Sequence, residues 1–358
     1  MHTIAMRITG CVALMVMGGC GGGGGGDDDA PPPAEPVVID QSNAMEVTAS
    51  VLGPVTLIRE LGTGGGILPV ALNDSAVSTI SGAVYGKLRE LIKPARYFQA
   101  VAAGGQGVQF AALEFGPFTE DCSVSGTLTL SASFADGSLQ YLNVGDTVAA
   151  EFDRCDEGDG MVLDGGLRIE VLTRVAFDFQ PPYTFGSEFT FSNLSITEGG
   201  ETAAVSGGLM VQEATRDGVV FETELSGEQL SVAVNGDTEL LRYFEMLGRY
   251  DDSDGSYSLE VRCPGERCAR LESSGLNGFV DFGSIEPFAG AGDDAPFSGI
   301  LSIVGGLAAG GLGPSALAAE ALNANCVELR LDENGDSAID WTQRTTWASL
   351  LAGVTDPC

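Results

Sequence analysis

One pattern constrains this chain more than any other. From about residue 107 onward, a glycine is repeatedly followed by apolar residues two and four places later. Gly126 leads Leu128 and Leu130, Gly165 leads Leu167 and Ile169, and Gly207 leads Leu209 and Val211. Gly255 leads Tyr257 and Leu259, Gly278 leads Val280 and Phe282, and Gly299 leads Leu301 and Ile303. A period of two sends successive side chains to opposite faces of a strand, one into a core and one into water. A glycine at a strand entrance suits a tight turn or a bulge. The last two glycine intervals fit one strand up and one back, and the first three are about twice as long. The glycines therefore mark the same end of alternate strands in an antiparallel meander, with breaks such as "DEGDG", "TEGG" and "DDSDGS" between strands. The expected fold is mainly β: a meander curled into a sandwich or open barrel over residues 101–358, with a short N-terminal helical segment (41–100) packed on it.

Within that segment, "SAVSTISGAVYGKLRELIK" places Val77, Ile80, Val84, Leu88 and Leu91 on one stripe, and Pro94 stops it. Such a stripe packs on its own body more readily than on a membrane when its polar face carries few cations. A later apolar run, Ser298 to Leu322, is long enough to span a bilayer. Gly310, Gly311, Gly313, Pro314 and Glu320 interrupt it, which predicts a strand, a glycine loop and a short helix instead.

The chain opens on an export signal (1–19). Arg7 is the positive flank, "CVALMVM" is a short apolar core, and Gly18 and Gly19 precede Cys20. Met17 to Cys20 resembles the lipobox of bacterial lipoproteins, with methionine in place of the usual leucine. The resemblance implies that the chain is cut before Cys20, and that this residue carries a diacyl group on sulfur and usually an acylated amine. Two or more acyl chains hold a protein on a bilayer where one does not. Residues 20–40 then read as a tether: six glycines, Asp27 to Asp29, and "APPPAEP". Glycines give slack, aspartates hydration, and prolines semi-rigid extension. Gly21 is not the aspartate that resembles an inner-membrane retention signal. By that analogy the protein is lipid-anchored in the outer membrane of a Gram-negative bacterium, on its periplasmic or surface face.

The formal net charge is −33, with lysine only at positions 87 and 93. A body this acidic repels nucleic acid and anionic lipid, so neither is an electrostatic partner. Cys11 leaves with the signal and Cys20 carries lipid. The remaining cysteines are Cys122, Cys155, Cys263, Cys268, Cys326 and Cys358. An even count in an exported chain points to disulfides, whose pairing sequence alone leaves open. Sequential neighbours are the expected pairs: Cys263 and Cys268 bracket "PGER", a turn that would bring two strand ends together. Cys122 and Cys155 flank a hairpin, and Cys326 clips down the terminal Cys358. The two longer loops would each contribute roughly 3–4 kcal/mol by loop entropy.

The sharpest local motif is "LDENGDSAIDWTQ". Against the EF-hand calcium loop, Asp332, Asn334 and Asp336 fall at positions one, three and five. The Ala338 carbonyl falls at seven and Asp340 at nine. Clustered oxygens of this kind suit Ca2+. Ser337 replaces the usual glycine and Gln343 the bidentate glutamate, which would leave affinity poor. The competing reading is a hairpin turn at Asn334–Gly335, with the aspartates solvating it.

The cysteine-flanked hairpins, the "PFSGILSIVG" strand and the aspartate-rich loop together resemble uncharacterised β-rich lipoproteins of Gram-negative bacteria, over roughly the last 250 residues. That resemblance brings no activity with it. His2 is the only histidine and leaves with the signal, so Ser-His-Asp and Cys-His sites are excluded, as is a histidine-based zinc site. No nucleophile elbow, P-loop or dinucleotide fingerprint occurs. Trp341 and Trp347 are expected to pack rather than stack on sugars. The expected function is a non-enzymatic envelope lipoprotein that binds or scaffolds a protein or small molecule. It would need no cofactor beyond a conceivable Ca2+, and no residue is assigned as catalytic. The alternative is a carboxylate-dependent enzyme acting on glycans.

Overall fold

The computed structural model describes residues 34–62 and 113–358, apart from 137–139, 157, 159–160, 177–178, 199, 235, 266 and 293. The signal, Cys20, the tether through residue 33 and the stripe from Val77 to Leu91 lie outside the described residues.

The body is mainly β. Its strands are β1 (Leu113–Asp121), β2 (Ser125–Phe134), β3 (Tyr141–Leu142), β4 (Thr147–Asp156), β5 (Met161–Val171) and β6 (Val175–Ala176). There follow β7 (Tyr183–Glu198), β8 (Glu201–Thr215), β9 (Val220–Val234), β10 (Asp237–Asp251), β11 (Ser256–Val261) and β12 (Ala269–Ser273). The last are β13 (Gly278–Ala291), β14 (Ser298–Leu307), β15 (Pro314–Asn323), β16 (Cys326–Asp332) and β17 (Trp341–Thr346). Apart from the small β3–β6 pair, all join one antiparallel sheet whose neighbours follow chain order. β11 and β12 are one interrupted strand, since both pair with β10 on one side and β13 on the other.

The alternation read from the sequence is the alternation of burial. Leu167, Ile169, Leu209, Val211, Tyr257, Leu259, Val280, Phe282, Leu301 and Ile303 all enter the core. Leu128 and Leu130, next to the β1 edge, stay half-buried. The glycines do not all sit at strand entrances, however. Gly165 and Gly207 lie inside β5 and β8. Gly165, at φ 102°, faces Asn193 across a register shift between β5 and β7, and Asn193 itself has φ 48°. A Cβ on Gly165 would lie 2.3 Å from the Asn193 carbonyl oxygen. An extra residue in one strand bends it and raises its twist. Long strands such as the 16-residue β7 need such bends to follow a curled sheet.

The inner face of the sheet over β9 to β11 is covered by α1 (Ala44–Gly62). Its described side chains from Val47 to Val55 are all buried, polar Thr48 and Ser50 included. The helix packs on β9, β10 and β11 and also on the distant β16, so the sheet curls around it. Helix entry is set by Asp40, whose Oδ1 accepts from Ser42 N and Asn43 N, while Asn43 O takes the first helical N–H, from Val47. The Thr48 hydroxyl satisfies itself on Ala44 O. The helix falls within the helical segment expected over 41–100 and packs on the β body as expected, but its own bounds carry no stripe in the sequence, because Gly53 and Pro54 break the pattern.

One sequence reading is corrected here. "PSALAAEAL" is not helical but forms β15, where Ser315, Leu317, Ala319 and Ala321 alternate inward. Hydrogen bonding to β14 and β16 on both sides overrides the helix propensity of its alanines. The "PGER" turn does bring two strand ends together: the Cys263–Cys268 disulfide closes it between the end of β11 and the start of β12, an excursion within one interrupted strand.

Because neighbours are antiparallel, the turns divide between two ends. Residues 34–43 enter at one end. Pro36 bridges Phe279, Val37 N donates to Phe279 O, Gly306 N donates to Val37 O, and Ile39 N donates to Ser315 Oγ. Gly305 permits this approach: a Cβ there would lie 2.3 Å from Val37 O and 2.7 Å from Ile39. At this entry end lie the β14–β15 and β16–β17 loops. At the far end lie the β5–β7, β8–β9 and β10–β11 connections and the short C-terminal helix α2 (Trp347–Leu351).

Candidate functional site

The far end holds a cleft of about 700 Å³ between the segment leading into β7, the β8–β9 turn and the last residues of β10. Tyr183, Arg216, Asp217, Glu222 and Arg249 line it, with Pro182, Thr184, Ala214, Thr215 and Val220 as walls. Sheet register explains the placement. Ala214, Glu222 and Arg249 lie in one row across β8, β9 and β10, so Glu222 and Arg249 leave the same outer face. Tyr183 and Thr215 share another row, on the inner face.

Arg216 and Arg249 are set apart by what they lack. Most described arginines meet a carboxylate: Arg242 with Glu272 at 2.7 Å, Arg262 with Glu245 at 3.1 Å, Arg270 with Asp281 at 2.7 Å, Arg344 with Glu328 at 2.6 Å, and Arg330 with Glu320. Arg174 donates to Asn143 and lies over the Tyr141 ring, and Arg267 lies over the Tyr243 ring. Among the described residues, Arg216 and Arg249 have no such side-chain partner, and both border the cleft. Asp217 is committed to its own turn. Its Oδ1 accepts from Val219 N at 2.9 Å and Val220 N at 3.0 Å, and these bonds hold its carboxyl below the usual carboxylate range.

Beneath the cleft is a half-buried polar pair. Tyr183 donates its hydroxyl hydrogen to Glu213 Oε1. Burial raises the Glu213 carboxyl, against the lowering effect of the tyrosine hydrogen bond. Burial, and then the adjoining Glu213, raise the tyrosine above its ordinary value. Thr215 Oγ1 accepts from Gly218 N, which fixes the turn carrying Arg216 and Asp217. Thr223, opposite Glu213 in register, is buried with its hydroxyl unpartnered. None of these residues stood out in the sequence. Their proximity is made by register between strands, and local spacing does not encode it.

The aspartate-rich loop lies at the other end. Strand pairing stops at Leu331–Trp341, so Glu333 to Asp340 form a broad loop and not the tight Asn334–Gly335 hairpin turn expected as the competing reading. Asp332 Oδ1 accepts from Gly335 N and its Oδ2 from Ser337 N, both at 2.7 Å. Asn334 Oδ1 accepts from Asp336 N, Asp336 Oδ1 from Ala338 N, and Asp340 Oδ2 from Glu333 N. These side chains thus bind the loop's own amides, and Ala338 contributes its N–H to that net. Among the described residues, no group of three or more His, Cys, Asp or Glu side chains is placed to hold a metal ion. The loop also docks on its neighbours: Leu312 N donates to Asn334 O at 2.7 Å, and Gln41 N to Glu333 Oε1.

The cysteines join as sequential neighbours, Cys122–Cys155, Cys263–Cys268 and Cys326–Cys358. The last brings the C-terminal tail back along β17, where Asp356 O accepts from Thr346 N and Thr345 Oγ1 and so covers part of an edge strand. Trp347 is buried edge-to-face on Phe288, and Trp341 packs half-buried against the core.

Comparison with known protein families, with curated proteins and with solved structures finds no match for this chain.

Proposed function

We propose that the chain is an acylated envelope lipoprotein, held at Cys20, whose β body displays the far-end cleft for binding. The observation that carries this reading is polarity. The N-terminal segment joins the body at one end, and the cleft with two guanidiniums that have no side-chain partner among the described residues lies at the other. A lipid at Cys20 would turn the cleft away from the bilayer. α1 covers the inner face over β9 to β11, and ligand binding is assigned to the cleft. Arg216 and Arg249 are suited to a carboxylate, phosphate or sulfate on the ligand.

The disulfides accord with an oxidising compartment. Asp217 and Glu222 both border the cleft, which supports a carboxylate-dependent reaction on glycans as a second reading. That Asp217 already holds two amides favours binding instead.

Intact mass of the native protein tests the anchor: an N-terminus at Cys20 bearing acyl groups is expected, with Cys20→Ser released from membranes. A bare N-terminus, or unchanged fractionation of the variant, would contradict it. Glycan hydrolysis lost in Glu222→Gln would replace binding with the second reading.

A further inference from the structure

We infer that the β14–β15 hairpin tip is a second membrane contact, dipping into the lipid interface beside the tether; this rests on the anchored reading above. The tip, Leu307 to Pro314, carries no charged residue, and none occurs from Ser298 until Glu320 in a chain of net charge −33. It holds its apolar side chains out to solvent: Leu312 is 84% exposed and Leu307 62%. Val38 and Ile339, also exposed, lie at the same end. Val38 is on the entering segment, close to Gly306, and Ile339 is on the loop that binds Leu312 N through Asn334 O.

The backbone makes the display firm. Gly311 N donates to Ala308 O, while Leu312 N and Gly313 N both reach Asn334 O, so the leucine is fixed outward by a docked loop. The most exposed apolar residue of the far-end β3–β4 turn, Val144, sits instead between Asn143 and Gly145–Asp146, in a turn whose aspartate accepts two backbone amides.

The occupant is set by where the chain leaves the body. Residues before 36 depart beside Phe279 and Gly306, within a strand's end of the tip. The sequence from Cys20 to Ala34, taken as a Gly-rich coil, has an r.m.s. span of roughly 20 Å. A lipidated Cys20 would therefore hold this face close to the bilayer at high local concentration. Glu333, Asp336 and Asp340 flank the tip on the neighbouring loop, so the preferred surface is zwitterionic, and anionic lipid weakens the contact.

The experiment uses the full acylated chain carrying Leu312→Trp on vesicles of phosphatidylcholine and phosphatidylethanolamine with brominated acyl chains. The parent chain corrects for Trp341 and Trp347. Quenching of the added tryptophan by about twofold is expected for an interfacial side chain, and it should diminish as phosphatidylglycerol replaces the zwitterionic lipid. Leu307→Asp in the same background should abolish it while flotation with vesicles persists. A protein that floats, fully acylated, with no quenching at 312 would overturn this inference and leave the anchor intact. A protein with a bare N-terminus that neither floats nor quenches would remove both. A bare protein that still quenches on added vesicles would keep the tip contact and remove the anchor.

Discussion

The two ends of the curled sheet use the same antiparallel geometry for opposite purposes. At the entry end, polar and backbone groups are engaged internally. The segment from Pro36 to Ile39 is hydrogen-bonded to Phe279, Gly306 and Ser315, and the carboxylates of the aspartate-rich loop hold the loop's own amides. That end also exposes the apolar side chains of the β14–β15 tip, Leu307 and Leu312, beside the exposed Asp336 and Asp340. At the far end, two arginines have no side-chain partner among the described residues, beside a cleft and above a half-buried tyrosine–glutamate pair and a threonine hydroxyl without a partner among the same residues. On the function proposed above, the contrast separates holding from recognition along the strand axis. A substitution at the first end should affect folding, whereas one at the second should affect ligand.

The contrast breaks most readily at Gly305. In Gly305→Val, the new Cβ would meet Val37 O at 2.3 Å, and the entering segment would have to leave its seat. A loss of about 4 kcal/mol or more is expected in chemical denaturation, because α1 depends on that seat. A wild-type midpoint would show that the entry segment carries no stability.

Beneath the cleft, Tyr183→Phe leaves Glu213 buried without its donor. About 1–3 kcal/mol should be lost. The pH dependence follows from the raised Glu213 carboxyl. Its contribution is fully present below the ordinary carboxylate range and is lost as pH rises through the folded value. Glu213→Gln keeps an acceptor for the tyrosine and should flatten that slope in thermal melts across mildly acidic to neutral pH. Tyr183, also raised, loses its contribution only above the ordinary tyrosine range and does not affect the slope there. An unchanged slope in the glutamine variant would remove Glu213 as its source.

The paired change Arg216→Ala with Arg249→Ala should move stability by no more than about 0.5 kcal/mol, since neither side chain holds another. Retention of carboxylate- or phosphate-bearing glycans on an array should nevertheless disappear. Equal retention by both proteins would detach the arginines from recognition. The smallest effect is expected from calcium at the entry end. Because the loop oxygens already hold backbone amides, millimolar Ca2+ should leave the melting temperature unmoved, and a rise abolished by Asp336→Ala would make the loop a metal site.

The sheet was legible because each strand carries its own record of which face is wet. Leu301 and Ile303 on β14 declare their burial through spacing alone, and so do Leu167 and Ile169 on β5. α1 was legible only as part of a helical segment over 41–100, and its own bounds were not, for the converse reason. Its described side chains from Val47 to Val55 are all buried, so no 3.6-residue stripe marks it off from a loop, and Pro54 points the wrong way. β15 was misread because alanine favours helix locally while its two neighbouring strands decide otherwise. The aspartates of the 332–340 loop were visible as a cluster, but the direction of their oxygens, toward the loop's own N–H groups, depends on a backbone path that composition does not specify. The cleft was the least legible of all. Tyr183, Arg216, Glu222 and Arg249 are assembled by register across β7 to β10, and the absence of partners for the two arginines exists only in three dimensions.

The separation of holding from recognition is tested most directly by amide hydrogen exchange on the acylated protein bound to zwitterionic vesicles, compared with soluble Cys20→Ser. Added protection confined to residues 307–314 and 333–340, with residues 215–220 exchanging as in the soluble form, is the predicted result. Protection at the cleft turn, with the hairpin tip exchanging freely, would place the opposite end on the membrane and contradict it.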